Sequence, residues 1–287
     1  MTRFTFALLI AGFAPLVAAA GTSGTFEAGK RGHVLVPVSV NGGEARPFAV
    51  DTAASHTVLD AAEFAALAGN EGAPAAHGAH ARGAHGSFAA RPTTVESMAL
   101  WQAEQRNQFA ALMTISDLTP GKEPDFAGVL GLPFLQRYRL DLDYPARKLV
   151  LEEQDGDLPA CDICDPASAV PLGTLRGGLR SVPVTVNGQQ MTALFDTGAS
   201  RTIFNEAAIA ALGLTGAGFG EAIGTASIAL GSLPARNHAV ARIDLPVFGT
   251  LGFDGKPALI LGIDYLGAGR TVVDLQAGLV WFKPADD

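Results

Sequence analysis

The chain has 287 residues, of which 48% are hydrophobic and 17% are charged, and its formal net charge is −8. This length suits one large domain or two smaller ones with buried cores, and the composition is that of a globular, β-rich protein rather than a disordered one. The sequence contains no basic patch, which argues against nucleic acid and anionic lipid as partners.

Residues 1–20 have the features of a cleaved secretory signal. Arg3 supplies a basic start, residues 4–17 are apolar, and the alanines at 18–20 offer a small-residue cleavage site. The apolar stretch is short for a membrane-spanning helix, although an uncleaved membrane anchor is the alternative. We therefore expect an exported protein, periplasmic or secreted, with no stable membrane association after signal cleavage.

The first lobe is predicted to begin with two strands and a loop that carries a carboxyl group. Apolar side chains alternate or cluster in residues 32–40 and in the run up to Val50, which is typical of strands. Asn41-Gly42 between the two runs is typical of a hairpin turn. Asp51 follows directly, before Thr-Ala-Ala-Ser. A carboxylate at the end of an apolar strand is poorly solvated, so either its pKa rises or nearby groups stabilise the anion.

A short helix and a glycine-rich segment follow this loop. Asp60 can begin the helix and Gly69 can end it. Residues 75–87 are rich in glycine and contain three histidines, at positions 77, 80 and 85. A metal site is one hypothesis for them, but their spacing fits no closed site and no cysteine or carboxylate lies between them. We therefore predict no metal and no cofactor.

Residues 154–174 are acidic and contain proline, which is typical of a linker. They contain the only cysteines of the chain, Cys161 and Cys164. In an exported protein these cysteines are expected to form a small disulfide loop. The alternative is a Cys-x-x-Cys redox motif, which is usually found beside a βαβ pattern, and no such pattern is present here.

The second half of the chain repeats the first. Asp196 also follows an apolar run and precedes Thr-Gly-Ala-Ser, while residues 36–42 match 182–188 and residues 129–135 match 260–266 in the same order. This is an internal duplication of a whole lobe. Two similar lobes pack most simply about a pseudo-two-fold axis, which would bring Asp51 and Asp196 together to hold one proton between them.

These repeated residues resemble the aspartic proteases of the retropepsin and pepsin type. The resemblance rests on Asp-Thr-Gly-Ala-Ser after an apolar strand and on the later pair of apolar residues with a glycine, it covers nearly all of the mature chain, and its double copy is similar to a bilobal, single-chain bacterial form. It implies an all-β fold, mainly β with a few short helices, that is a two-lobed acid-protease fold with pseudo-two-fold symmetry. The lobes would be residues 21–153 and 175–287, in a monomer.

The resemblance also implies roles for individual residues. Asp51 and Asp196 would be catalytic, and Gly131 and Gly262 would belong to the psi-loops that pass behind them. The residues implied as active-site support are Thr52, Ala53, Ser55, Thr197, Gly198 and Ser200. Those implied to form substrate-binding flaps are His80, Gly83, His85, Gly86 and Gly220. None of the three tyrosines lies in a flap candidate, which favours a retropepsin-like flap.

The function implied by the resemblance is hydrolysis of peptide bonds in an extended polypeptide, by a water activated between two aspartates that share one proton. The first loop departs from the pattern, because Ala53 stands where the second loop has Gly198. The alternative is therefore a catalytically impaired, peptide-binding pseudoprotease. A purely structural role is disfavoured by the buried carboxylates. Metal and serine hydrolases are disfavoured because the sequence has no His-Glu-x-x-His and no Gly-x-Ser-x-Gly.

Overall fold

A computed structural model of the chain describes residues 21–69, 80–83, 86–118, 123–154, 160–215, 222–231 and 233–285. The predicted signal, residues 1–20, lies outside the described residues. Within these ranges, no helix has both the length and the apolar character needed to cross a membrane.

The described part of the first half is built mainly from strands. Its short helices are α1 (Ile115–Leu118), α2 (Leu132–Leu135) and the 3-10 helix Ala65–Gly69. Its strands are β1 Thr22–Thr25, β2 Glu27–Ala28, β3 Val34–Val40, β4 Arg46–Val50, β5 Thr57–Asp60, β6 His80–Gly83, β7 Gly86–Ala89, β8 Arg91–Leu100, β9 Ala103–Met113, β10 Gly128–Leu130, β11 Tyr138–Asp143 and β12 Lys148–Glu153.

The described part of the second half has the same character. Its helices are α3 (Glu206–Ala211), α4 (Pro246–Leu251), α5 (Ile263–Leu266) and the 3-10 helices Pro166–Ser168 and Arg176–Gly178. Its strands are β13 Val170–Pro171, β14 Gly173–Thr174, β15 Arg180–Val186, β16 Gln189–Phe195, β17 Ile203–Phe204, β18 Ala222–Leu230, β19 Arg236–Arg242, β20 Ala258–Leu261, β21 Gly269–Asp274 and β22 Leu279–Pro284.

The hairpin predicted at each Asn-Gly pair is confirmed. β3 pairs antiparallel with β4, and β15 pairs antiparallel with β16. Asn41 and Gly42 have φ values of 51° and 68°, and the equivalent pair Asn187 and Gly188 has 47° and 81°. Two consecutive residues with positive φ match the twist of the flanking strands, and asparagine and glycine adopt that conformation at the lowest cost.

The two lobes share one sheet topology, which confirms the predicted all-β, two-lobed fold with pseudo-two-fold symmetry. The strand order β2-β3-β4-β10-β5-β9-β8 in the first lobe is repeated by β14-β15-β16-β20-β17-β19-β18 in the second. Each sheet closes on itself through an additional pairing, β3 with β8 and β15 with β18. Closure pairs the edge strands, so each lobe is a small barrel filled by the inward-facing apolar side chains.

A third sheet joins the lobes at their base. Its strand order is β1-β12-β11-β21-β22-β13, and the central pair β11 and β21 brings one strand from each lobe together. β1 pairs with β12 at one edge, so the residues that follow the predicted signal are part of the fold. The buried hydrophobic core is continuous through both barrels and this sheet, so the two lobes are held in a fixed relation.

The helix predicted to begin at Asp60 does not form as expected. The carboxylate of Asp60 accepts from the N–H groups of Ala62 and Glu63, but it also accepts from the N–H of Ile115 at 3.0 Å. It therefore ties a turn to the end of β9, and the residues that follow form only the 3-10 helix Ala65–Gly69. At the equivalent place in the second lobe, Asn205 caps α3.

The predicted linker, residues 154–174, is described from residue 160 onwards, and residues 155–159 lie outside the description. Cys161 and Cys164 form a disulfide, which suggests an oxidising environment. Beyond it, β13 joins the sheet between the lobes and β14 joins the barrel of the second lobe. The last part of the predicted linker is thus paired backbone.

Candidate active site

Asp51 and Asp196 are each placed by the end of a strand. Asp51 follows β4 and Asp196 follows β16, and these strands run parallel to β10 and β20 respectively. The N–H of Asp51 donates to the carbonyl of Leu130 at 3.1 Å, and the N–H of Asp196 donates to that of Leu261 at 3.2 Å. The backbone hydrogen bonds of each strand pair therefore continue to the aspartate itself. They fix the backbone from which each carboxyl group projects.

Gly131 and Gly262, the predicted psi-loop glycines, cross directly behind the two aspartate loops. A Cβ on Gly131 would lie 2.5 Å from the carbonyl oxygen of His56, and one on Gly262 would lie 2.6 Å from that of Arg201. Only glycine permits backbones to approach so closely. Both glycines therefore hold the loops of Asp51 and Asp196 against β10 and β20.

Thr52 and Thr197 join the two loops by reciprocal hydrogen bonds. The N–H of Thr52 donates to Oγ1 of Thr197 at 3.0 Å, and the N–H of Thr197 donates to Oγ1 of Thr52 at 3.1 Å. Each hydroxyl then donates across to the other lobe, to the carbonyl of Phe195 or of Val50. Both threonines are fully buried, so this network fixes the relative position of the loops where water cannot compete.

The carboxyl groups of Asp51 and Asp196 lie together at the centre of the molecule. A Cβ added to Gly198 would lie 2.3 Å from the carboxyl carbon of Asp51, although Gly198 belongs to the loop of Asp196. The two carboxyl groups also perturb each other's pKa. Each group accepts from backbone N–H donors of its own loop: Asp51 from Ala53 at 2.7 Å, and Asp196 from Gly198 at 2.8 Å.

Burial and proximity make it costly to ionise both carboxyl groups. Burial raises the pKa of Asp51 from 3.8 to about 6, against the opposing effect of its backbone N–H donors. Burial and the negative charge of Asp51 raise the pKa of Asp196 well above its usual value. Both raised pKa values favour keeping at least one of the two carboxyl groups protonated in the mildly acidic range.

Both carboxyl groups open into one cleft of about 730 Å³ between the lobes. Of the residues predicted to support the site, Ala53, Ser55, Gly198 and Ser200 line this cleft, whereas Thr52 and Thr197 lie buried outside its lining. His56 and Arg201, which follow the two loops, also line it. The cleft therefore gathers residues that are 145 positions apart in the sequence.

The walls of the cleft are mainly apolar, and each lobe supplies one wall. Phe109, on β9, stands at the edge with 64% of its surface exposed. The larger apolar residues of the first wall are Val58, Pro92, Phe109, Met113, Leu118, Phe126 and Val129. Those of the second wall are Leu179, Leu194, Ile203, Leu245, Val247 and Ile260. Such walls suit hydrophobic side chains on either side of the dyad.

The segment expected to form the flap of the first lobe contains two paired strands. β6 pairs antiparallel with β7, and Gly83 lies opposite Gly86. β7 leads into β8 by way of Ala90, which lines the cleft. His85 lies outside the described residues, as do Gly220 and the side chain of His80. The proposed substrate contacts of these flap residues stay predictions.

Several residues that support or line the cleft were not found by sequence reasoning. Thr57 and Thr202 accept from the N–H groups of Gly131 and Gly262, and their places in the two repeats match, so the repeat itself carried the signal. Arg31 and His33 also line the cleft. They precede a strand and belong to no motif. Within the described ranges, no group of three or more His, Cys, Asp or Glu could hold a metal ion.

Comparison with known proteins agrees with this geometry. A family profile described as aspartyl protease matches residues 36–134 and 182–265, more than half of the chain. Among solved structures, the fold is similar to the aspartic proteinase from Irpex lacteus, with a TM-score of 0.58, 13% identity, and coverage of 92% of this chain and 98% of that chain. At this identity the likeness shows the fold alone. No curated protein sequence matches this chain.

Proposed function

This chain belongs to the aspartyl protease family, and from that premise we propose that it is an aspartic endopeptidase in which Asp51 and Asp196 are the catalytic residues. One observation carries this proposal: the two half-buried carboxyl groups, one from each lobe, lie close enough to perturb each other's pKa and open into the same cleft. Family and fold alone support a peptide hydrolase. The pair of carboxyl groups supports the mechanism.

The mechanism follows from the shared proton. A water held between the carboxyl groups gives a proton to the ionised one as its oxygen attacks the amide carbonyl carbon, while the protonated carboxyl group hydrogen-bonds to the carbonyl oxygen. Transfer of a proton to the amide nitrogen then breaks the C–N bond and releases an acid and an amine. No covalent bond to the protein forms, and no cofactor is required.

We expect the substrate to be a polypeptide bound in an extended conformation. The cleft runs between two apolar walls, and the extended form places alternate side chains on opposite walls. One chain supplies both aspartates and both threonines, so a monomer is sufficient for the proposed site. The disulfide supports the proposal of an exported protein.

Ala53 gives a reason to keep the pseudoprotease as a second candidate, because the first loop carries a methyl group where the second has Gly198. The backbone of Ala53 nevertheless donates to Asp51 at 2.7 Å, almost as Gly198 donates to Asp196 at 2.8 Å. The hydrogen bond that orients the carboxylate is thus kept. We therefore favour the enzyme over the pseudoprotease.

The test compares cleavage of an unfolded protein by the mature chain, Asp51→Asn and Asp196→Asn, from acidic to neutral pH. We expect either substitution to reduce kcat by about 10³-fold or more, because neither variant can both accept and donate the proton. A melting curve for each variant checks that it is folded. Tight peptide binding without cleavage by the unsubstituted protein would support the pseudoprotease, and full activity in either variant would reject the proposed dyad.

A further inference from the structure

The ionisable groups of the cleft have an uneven distribution of charge. Among the described residues that line it, the acidic ones are Asp51 and Asp196 themselves. The other ionisable residues are all basic: Arg31, His33, His56 and Arg201. The protein as a whole is acidic, with a formal charge of −8. Basic side chains around the cleft of an acidic protein indicate that the cleft prefers ligands with a negative charge.

Arg31 is the strongest of these charges for recognising a ligand. Its side chain is half-buried at the cleft, and no ion pair or hydrogen bond holds its guanidinium group among the residues that the structure describes. A guanidinium group binds a carboxylate through two parallel hydrogen bonds. Arg31 is thus positioned to pair with a carboxylate that enters the cleft.

His33 supplies a second polar group beside Arg31. Its side chain is only 6% exposed, and its Nδ1 is buried without a partner within the described part of the chain. A buried polar atom without a hydrogen-bond partner costs free energy, so a hydrogen bond between this nitrogen and a ligand would be favourable. The ring packs edge-on against Phe126, with 5.7 Å between ring centroids, which holds its orientation.

The position of His33 relative to the dyad defines where the ligand group would lie. The backbone of Gly198 lies beside the His33 side chain and raises its pKa, against the larger opposing effect of burial, and Gly198 in turn contacts the carboxyl group of Asp51. An extended peptide advances about 3.3 Å per residue. His33 and Arg31 would therefore contact a side chain of the peptide that flanks the scissile bond.

The pseudo-two-fold symmetry supplies an internal comparison. Gly29 and His33 are linked by a backbone hydrogen bond from N–H to carbonyl, and Leu175 and Leu179 are linked in the same way. Leu179 is therefore the counterpart of His33, and it also lines the cleft. The second lobe has an apolar residue where the first has an imidazole. The basic subsite is thus present on one side of the dyad and absent from its counterpart.

We propose that Arg31 and His33 form a specificity subsite that selects an acidic side chain, at one position flanking the scissile bond, on the side of the cleft where Gly198 lies. This inference rests on the proposed function, since it names a substrate class for the same cleft. It adds that the preferred substrates combine hydrophobic residues at the cleaved bond with a glutamate or aspartate at one flanking position.

One acidic residue, Asp125, lies near this subsite and must be included. Its carboxylate accepts from the backbone N–H of Lys30 at 2.5 Å. Burial and the charge of Arg31 lower the pKa of His33, and both outweigh the opposing effect of Asp125. The positive charge of Arg31 thus acts on the His33 side chain more strongly than the negative charge of Asp125.

The experiment uses peptides with one hydrophobic pair at the cleaved bond and a single Glu, Gln or Lys scanned through the flanking positions. At about pH 6 glutamate is ionised, and we expect one position at which kcat/KM for Glu exceeds that for Gln by about tenfold, with Lys below Gln. At about pH 3.5, where most of the glutamate is protonated, this preference should disappear.

Variants assign the preference to the subsite. Arg31→Gln should reduce the Glu-to-Gln ratio to about one or two, and Arg31→Lys should keep part of it, because it keeps the charge but not the paired geometry. His33→Leu, which copies Leu179, should also lower the ratio. Arg137→Gln is the matched control, since it removes one positive charge from an exposed site outside the cleft lining.

Binding separates this inference from the proposed function. Dissociation constants for the same peptides are measured with the full-length Asp196→Asn chain, which needs no turnover. Tighter binding of the Glu peptide without cleavage by any form would overturn the endopeptidase and keep the subsite. Equal values for Glu and Gln at every position, or a ratio that Arg31→Gln leaves unchanged, would overturn the subsite.

Discussion

Gly198 lies against the carboxyl group of Asp51, so closely that a Cβ at this glycine would be 2.3 Å from Oδ2. The two residues come from different lobes and are 147 positions apart in the sequence. Non-bonded carbon and oxygen atoms need more than 3 Å, so no other residue fits at position 198 without moving the carboxyl group. The glycine of the second loop is thus required by the aspartate of the first.

We therefore predict that Gly198→Ala reduces kcat by about 10²-fold or more, because displacing a reacting group by an ångström has effects of that size. The measurement is hydrolysis of an unfolded protein or a peptide, with a melting curve to show that the variant is folded. Ala53→Gly is the matched control at the equivalent position, and it should retain activity. Full activity in Gly198→Ala would show that the loops are farther apart than described.

The reciprocal hydrogen bonds of Thr52 and Thr197 predict that removing one of their hydroxyl groups lowers stability considerably. Thr52→Val keeps the shape of the side chain but removes its hydroxyl, which leaves the buried N–H of Thr197 and the carbonyl of Phe195 without their partners. We expect the free energy of unfolding to fall by about 2 to 4 kcal/mol, since each buried unpaired group costs about 1 to 3 kcal/mol.

Urea denaturation measures this change, and Thr52→Ser serves as the control because it keeps the hydroxyl. The serine variant should lose less stability than the valine variant. If the two variants are equally stable, the hydrogen bonds between the loops do not contribute as the geometry indicates.

The raised pKa of Asp51 predicts how stability depends on pH. A carboxyl group whose pKa rises on folding, here from 3.8 to about 6, binds its proton more tightly in the folded protein. Its contribution to stability is therefore complete below pH 3.8 and is lost as the pH rises through about 6. Within this window the loss approaches about 1.4 kcal/mol per pH unit for one extra bound proton.

Asp51→Asn removes this titration and also removes the charge that raises the pKa of Asp196. We expect the Tm of the variant, relative to the unsubstituted protein, to increase between about pH 4 and about pH 6.5. Thermal unfolding across this range measures the difference. A difference in Tm that does not change with pH would mean that the pKa of Asp51 is not raised by folding.

The ion pair of Arg270 with Asp141 is expected to stabilise the junction of the lobes. From β21 it donates two hydrogen bonds to the carboxylate of Asp141 on β11, at 2.8 and 2.6 Å, and a third to Asp162 beside the disulfide. The side chain of Asp141 is 13% exposed. Arg270→Gln would leave this carboxylate without its partner, and we expect a loss of about 2 to 3 kcal/mol in the free energy of unfolding.

The control for this prediction is Arg106→Gln, which removes an arginine that is 74% exposed and paired with Glu104. An exposed pair contributes less than about 1 kcal/mol. The denaturant midpoint should therefore fall clearly for Arg270→Gln and hardly at all for Arg106→Gln. Equal midpoints for the two variants would contradict a stabilising role at the junction.

The sequence alone determined the two-lobed β fold, because its evidence is local and repeated. Alternating apolar residues predict strands, Asn41-Gly42 and Asn187-Gly188 predict hairpins, and the repeat indicates two similar lobes. Repetition in register also led to the pair Asp51 and Asp196, since residues that match in two lobes meet at a pseudo-two-fold axis. These conclusions needed only neighbours along the chain and a symmetry argument.

Only the tertiary structure decided what lies around the pair. The bonds between Thr52 and Thr197, the contact of Gly198 with Asp51, and the basic cleft residues Arg31 and His33 depend on how the lobes pack. Asp60 shows the same limit within one lobe, because its carboxylate accepts from the distant N–H of Ile115 as well as from the neighbouring N–H groups of Ala62 and Glu63. Burial and close approach between distant segments set pKa values and specificity, and these quantities have no signature along the chain.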